Sequence, residues 1–167
     1  ILENKMKNTV QIYGLPRSGT NFLEWSIINN FYNIVYNAYT ETPEIKELPR
    51  PKVAAKHQMP SFKHSDKIIV IYKKWNAYIK SYKRWDKNLS DENIIKGVYD
   101  SYLQKAKSLD SSKTIIFEHS WLVENYEQGM KIIEEKFDLK MKDKIVQPKN
   151  RLNSSRHITD QIYVLEK

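Results

Sequence analysis

Apolar residues fall along this chain in short runs with two different periods. Thr9–Tyr13, TVQIY, is a short run of β-type residues. The stretch FLEWSIINNFY that begins at Phe22 places Phe22, Leu23, Ile27, Ile28 and Phe31 at helical spacing. Between them lies GLPRSGTN, with two of the chain's four glycines. The pattern predicts strand, tight loop, helix. Lys67–Tyr72, KIIVIY, is apolar on both faces and predicts a buried strand of the parallel-sheet kind. Helical sequence follows from Trp75 to about Trp85. Ser90 is expected to cap the next helix, with Asp91 and Glu92 in its first turn, running to about Ser108. TIIF at residues 114–117 predicts another strand. Ser120 is then expected to cap one long helix, with Leu122, Tyr126, Met130, Ile133 and Phe137 on one face. Residues 37–51, broken by Pro43, Pro49 and Pro51, read as an irregular loop, and residues 52–56 as a short strand. The tail after Asp138 is polar and basic and matches no period.

Strands that alternate with helices predict an α/β fold with a central parallel β-sheet flanked by helices. In such sheets ligands sit outside the carboxyl ends of the strands. The loops after Tyr13, Lys56, Tyr72 and Phe117 are therefore the places to look for chemistry.

Composition narrows the classes. A chain of 167 residues fits one domain, and 40% hydrophobic with 29% charged residues is globular rather than disordered. There is no internal repeat and no Gly/Ser linker. The absence of cysteine excludes a disulfide scaffold, a thiolate zinc site and a cysteine nucleophile. No apolar run reaches the ~18 residues of a membrane span, so no span is expected. The lack of cysteine suggests nothing stronger than an intracellular or redox-indifferent setting, and the location expected is cytoplasmic. Basic residues number 28 against 20 acidic ones, a net charge of +8. That surplus favours anionic partners, without choosing among nucleotides, nucleic acid, acidic glycans and phospholipid surfaces.

The loop after the first strand is more specific. Gly14 and Gly19 lie between a strand and a helix with four residues between them. That arrangement aims backbone N–H groups at one point near a positive helix end, which suits a phosphate-type anion. A nucleoside-triphosphate loop would continue with Lys and then Ser or Thr. Here those positions hold Thr20 and Asn21, and the cation is Arg17 instead. The glycine spacing alone also fits a plain turn in which Gly19 relieves crowding.

The string Pro16-Arg17-Ser18-Gly19-Thr20-Asn21-Phe22 resembles the 5′-phosphosulfate loop of sulfotransferases that use 3′-phosphoadenosine 5′-phosphosulfate, PAPS. The resemblance implies a three-layer P-loop-type fold, one sulfotransferase-like domain over residues 1–167, and a short member of bacterial or viral type. It implies that Arg17 contacts the bridging oxygen and the sulfuryl group. It implies that Ser18, Gly19, Thr20 and Asn21 bind the 5′-phosphate and that Phe22 packs on adenine. A second family feature is an Arg at the end of a strand with a Ser eight residues on, which together bind the 3′-phosphate. Lys73 and Ser81 stand at those places, with Lys74 and Trp75 where Asn-Pro is usual and Ala77 where Asp is common. Taken alone, Lys73, Lys74, Lys80, Lys83 and Arg84 would read as a solvated basic helix face. Phe117-Glu118-His119 resembles the family's Tyr-Glu-Asp strand end, which gives Glu118 a structural role.

Transfer to an alcohol needs a base. The family's histidine lies in a Lys-x-His-x-Pro segment, and this chain has Lys56-His57-Gln58-Met59-Pro60. Without gaps Gln58 falls on the family position. Two readings stand: His57 is the base in a shifted register, or the base comes from elsewhere. Lys56 is the candidate for assisting the leaving group. His64, His119 and His157 match no motif, and the four histidines have no metal-ligand spacing, so no metal is expected. The family's closing Arg-Lys-Gly loop has no counterpart here; Arg151 and Arg156 are the candidates for its role. The implied activity is sulfuryl transfer from PAPS, leaving its product PAP, to a hydroxyl or amine of a small-molecule or saccharide acceptor. Nucleic acid is not expected as a partner. The alternatives are a P-loop nucleotide kinase or NTPase, and a non-catalytic domain that binds PAP or polyanions.

Overall fold

The computed structural model describes residues 9–32, 35–36, 67–86 and 91–148. Among the described residues four strands form one sheet: β1 (Thr9–Tyr13), β2 (Val35–Tyr36), β3 (Lys67–Tyr72) and β4 (Thr114–Glu118). The helices are α1 (Thr20–Asn30), α2 (Trp75–Trp85), α3 (Glu92–Lys107), α4 (His119–Glu124) and α5 (Tyr126–Phe137). The sheet order is β2-β1-β3-β4 and every pair is parallel. All strand carboxyl ends therefore share one edge.

Side-chain alternation along the strands divides the core in two. Val10, Ile12, Ile69, Ile71, Ile115 and Phe117 point to one face, where Leu23 and Ile27 of α1, Leu122 of α4, and Met130, Ile133 and Phe137 of α5 cover them. Tyr13, Ile68 and Val70 point to the other, under Tyr78, Ile79 and Tyr82 of α2 and Tyr99, Tyr102 and Ala106 of α3. β3 is covered on both faces, so four consecutive residues, Ile68 to Ile71, are buried. β4 pairs only with β3 among the described strands, and its Ile116 stays 38% exposed. The α/β class, with helices on both faces of a parallel sheet, is as the periodicity predicted. No helix among the described residues is long and apolar enough to cross a membrane.

Three expectations change. Asp91 caps α3, its carboxylate accepting from the Asn93 amide at 2.9 Å; Ser90 lies outside the described residues. The single long helix is two helices, broken at Asn125, whose φ of −120° and ψ of 44° leave the helical region. Glu118 rather than Ser120 is the cap of α4, with the Ser120 amide and hydroxyl both donating to its carboxylate. β2, too short for a period to reveal, pairs with Thr9 and Val10.

The tail that matched no period is tied to α1. The Asn30 side-chain amide donates to the Tyr126 hydroxyl at 2.7 Å and to the Val146 carbonyl at 3.0 Å. Its oxygen accepts from the Val146 amide at 2.8 Å. Tyr126 donates to the same Val146 carbonyl at 2.9 Å, and the Lys142 amide donates to the Asn30 carbonyl at 2.8 Å. Phe31 bridges to Met141 in antiparallel fashion.

Candidate functional site

The sheet topology puts three loops side by side. β3 lies between β1 and β4, so Lys73 follows the central strand with the 14–19 turn on one side and His119 on the other. Gly14 leaves β1 against β3, where a Cβ would sit 2.7 Å from Thr20 Cγ2 and 3.0 Å from the Ile71 carbonyl. The absence of a side chain lets the turn close over the sheet edge. The Ser18 amide donates to the Leu15 carbonyl at 3.1 Å, and Ser18 itself is buried. Arg17 has φ 71° and Gly19 φ 98°, two left-handed residues within one turn. That conformation is costly for arginine and free for glycine.

Gly19 is the N-cap of α1 and has no side chain to offer. A helix leaves its first amides without partners inside the helix. Gly19 adds no capping acceptor there, at the positive end of the helix dipole. Thr20 is buried, Asn21 is half-buried, and Phe22 meets His119 edge-on at 5.5 Å and Tyr126 at 5.8 Å between ring centroids. Phe22 is thus part of the packing beneath the turn.

Lys73 is held from α3. The Tyr99 hydroxyl donates to the Lys73 carbonyl at 2.5 Å, which fixes the backbone where β3 ends. Burial, then the neighbouring Tyr72, Asp100 and Glu118, push the Tyr99 phenol up to about 12. Lys74, its own side chain 78% exposed, reaches the mostly covered Glu118 carboxylate at 3.8 Å. Burial of Glu118 opposes its charge, but hydrogen bonds from Ser120 and Trp121 and the Lys74 charge outweigh it and hold its carboxyl below the usual range. Glu118 therefore has the structural role expected of it.

The structure brings Arg17, Ser18, Gly19, Thr20, Asn21 and Phe22 together with Lys73 at one sheet edge. Ser81 is buried within α2, six residues beyond Trp75, or roughly 9 Å further along the helix axis. Lys56, His57, Arg151 and Arg156, and the strand expected at residues 52–56, lie outside the described residues. Among the described residues no cluster of His, Asp or Glu could hold a metal ion.

Two residues join the site without a motif, Tyr99 and His119. The imidazole of His119 occupies the space beside Gly19: its Nε2 lies 3.2 Å and its Cγ 3.3 Å from where a Cβ would be, with Cδ2 closer still. Burial, and then the Lys73 charge, lower its pKa to about 4 from 6.5, with Glu118 acting the other way. The unfolded chain protonates this ring near 6.5 and the folded chain only near 4, so its contribution to stability is lost as pH falls through that window.

Gly19→Ala should lower stability by roughly 2 kcal/mol or more, from the left-handed backbone and the displaced His119 ring. Gly97→Ala, in the middle of α3 with nothing within 4 Å of the new Cβ, should raise it by roughly 0.5–1 kcal/mol. Urea denaturation of the two variants measures both signs.

No protein-family model matches this chain, and neither a curated protein nor a solved structure matches it.

Proposed function

We propose that this chain is a PAPS-dependent sulfotransferase of the three-layer P-loop type. The observation that carries the reading is the β1–α1 turn. Its sequence Pro16-Arg17-Ser18-Gly19-Thr20-Asn21-Phe22 folds into a helix N-terminus without a capping side chain, beside a cation at the end of the adjacent strand. In the proposed reaction the acceptor hydroxyl or amine attacks sulfur in line with the bridging oxygen. The new bond to sulfur forms as the sulfur–oxygen bond to the 5′-phosphate breaks, and the electron pair leaves on PAP. Catalysis of this kind is positioning plus neutralisation of charge on the leaving phosphate. Arg17 and the α1 amides supply that charge at the 5′ end, and Lys73 with Ser81 binds the 3′-phosphate. The acceptor's proton goes to a base for which the sequence offers His57, with Lys56 assisting the leaving group.

A net charge of +8 favours a polar or acidic acceptor such as a saccharide. The proposed setting is the cytoplasm; a chain without cysteine is indifferent to the redox state of its compartment. The kinase reading lacks its lysine, since Thr20 follows Gly19.

PAP at 100 times its Kd should stabilise the chain by about 2.7 kcal/mol, and ATP with Mg²⁺ should not. At this size the gain raises the melting temperature by roughly 5–11 °C. A shift with Mg-ATP alone would move the protein to the kinases. No shift with either would favour a polyanion-binding domain, whose affinity falls steeply with salt.

A further inference from the structure

We propose that His119 is a member of the anion site that takes up a proton when a phosphate-type dianion enters the 14–19 turn. The inference rests on the donor-site reading given under Proposed function. Its ground is position. The ring reaches the turn from the end of β4, across β3, and packs on Gly19 and Phe22 at the N-terminal, positive end of α1.

Among the described residues the charges acting on the ring are few. From β3 comes Lys73, which opposes protonation. From the ring's own strand end comes Glu118, which favours it but is engaged by Ser120 and Lys74. The turn itself carries Arg17, two residues before Gly19, and ends in the positive end of α1. From α5 comes Tyr126, which packs on Phe22; its hydroxyl donates to Val146, and burial above all pushes the phenol up to about 12, so it brings no charge. Without an anion the surroundings are positive and the ring is neutral. Two negative charges beside Gly19 reverse that balance. His119 then becomes a third cation next to Arg17 and Lys73, formed only when there is an anion to hold. Binding coupled to proton uptake strengthens as pH falls through the pKa of the bound state.

The test measures PAP affinity between pH 7.5 and 5 for the parent chain and for His119→Gln. PAP's own phosphates titrate in this range, but equally for both proteins, so the ratio of affinities isolates His119. The ratio is expected to rise on the order of tenfold in favour of the parent over that span. A ratio that stays constant or falls overturns the inference while leaving the donor site standing. Failure of PAP to bind at any pH overturns the donor-site reading, and this inference with it. Should His119→Gln not fold, the imidazole resonances of the parent chain are titrated with and without PAP. Their midpoint is expected to rise by about two pH units, the shift that a tenfold ratio at pH 5 requires, and an unmoved midpoint overturns the inference.

Discussion

On the proposed sulfotransferase reading, Arg17→Gly should remove sulfuryl transfer while leaving the protein about as stable as before. Arg17 has φ 71°, a conformation that costs a residue with a side chain about 1–2 kcal/mol. Glycine removes that strain and gives back roughly 0.5–1 kcal/mol through the greater freedom of its unfolded chain. The two nearly cancel, so the backbone contribution to the change in stability should stay within about 1 kcal/mol. Function should respond quite differently. Removing a preorganised charge from the place where negative charge develops costs about 10²–10³ in rate. Arg17→Lys keeps the charge but not the planar fork, and should fall between the parent and Arg17→Gly. Transfer of labelled sulfate from PAPS across an acceptor library reads the first effect and urea denaturation the second. Unchanged transfer in Arg17→Gly would remove Arg17 from the reaction. A loss of several kcal/mol would make it a structural residue. A strained side chain kept at the mouth of an anion-type turn, where glycine would sit without strain, is itself a reason to look for function there.

How much of this was legible depended on whether the signal was local. KIIVIY announced β3 because a strand covered on both faces must be apolar at every position. The turn from Gly14 to Gly19 was legible because the strand, the glycines and the helix are contiguous. The break at Asn125 was not. Leu122, Tyr126, Met130, Ile133 and Phe137 keep helical spacing across it, so the apolar face hides the change of helix. The α3 cap was misread by one residue because Ser90 and Asp91 are both good caps, and only geometry shows that Asp91 accepts from Asn93. β2 gains its identity only from its pairing with Thr9 and Val10. In the site, His119 had a positional signal, since it follows a strand's carboxyl end, but no motif gave it a role. Tyr99 had no signal at all: its bond to the Lys73 carbonyl depends on how α3 lies against the end of β3.

Asn30→Ala should be among the most destabilising substitutions outside the apolar core. Asn30 is completely buried at the last position of α1. Its side chain makes three short hydrogen bonds, to Tyr126 and to both backbone groups of Val146, and a long one to the Met130 sulfur at 3.9 Å. A donor or acceptor left buried without its partner costs roughly 1–3 kcal/mol. Val146 has a side chain 51% exposed, so part of that cost is avoided if the segment peels away and its backbone meets water. The expected loss is therefore about 2–4 kcal/mol rather than the sum of three bonds, or roughly 5–15 °C in melting temperature for a chain of this size. Tyr126→Phe removes one hydroxyl from the same network and should cost about 1–1.5 kcal/mol. The double variant should lose less than the sum, because the two side chains share both each other and the Val146 carbonyl. Hydrogen exchange at the Val146 amide locates the effect. If Asn30 holds the tail onto α1, that amide exchanges faster in Asn30→Ala than global unfolding requires. If its protection falls only in step with the core strands, the tail is held by the Phe31–Met141 bridge and the Lys142 amide instead.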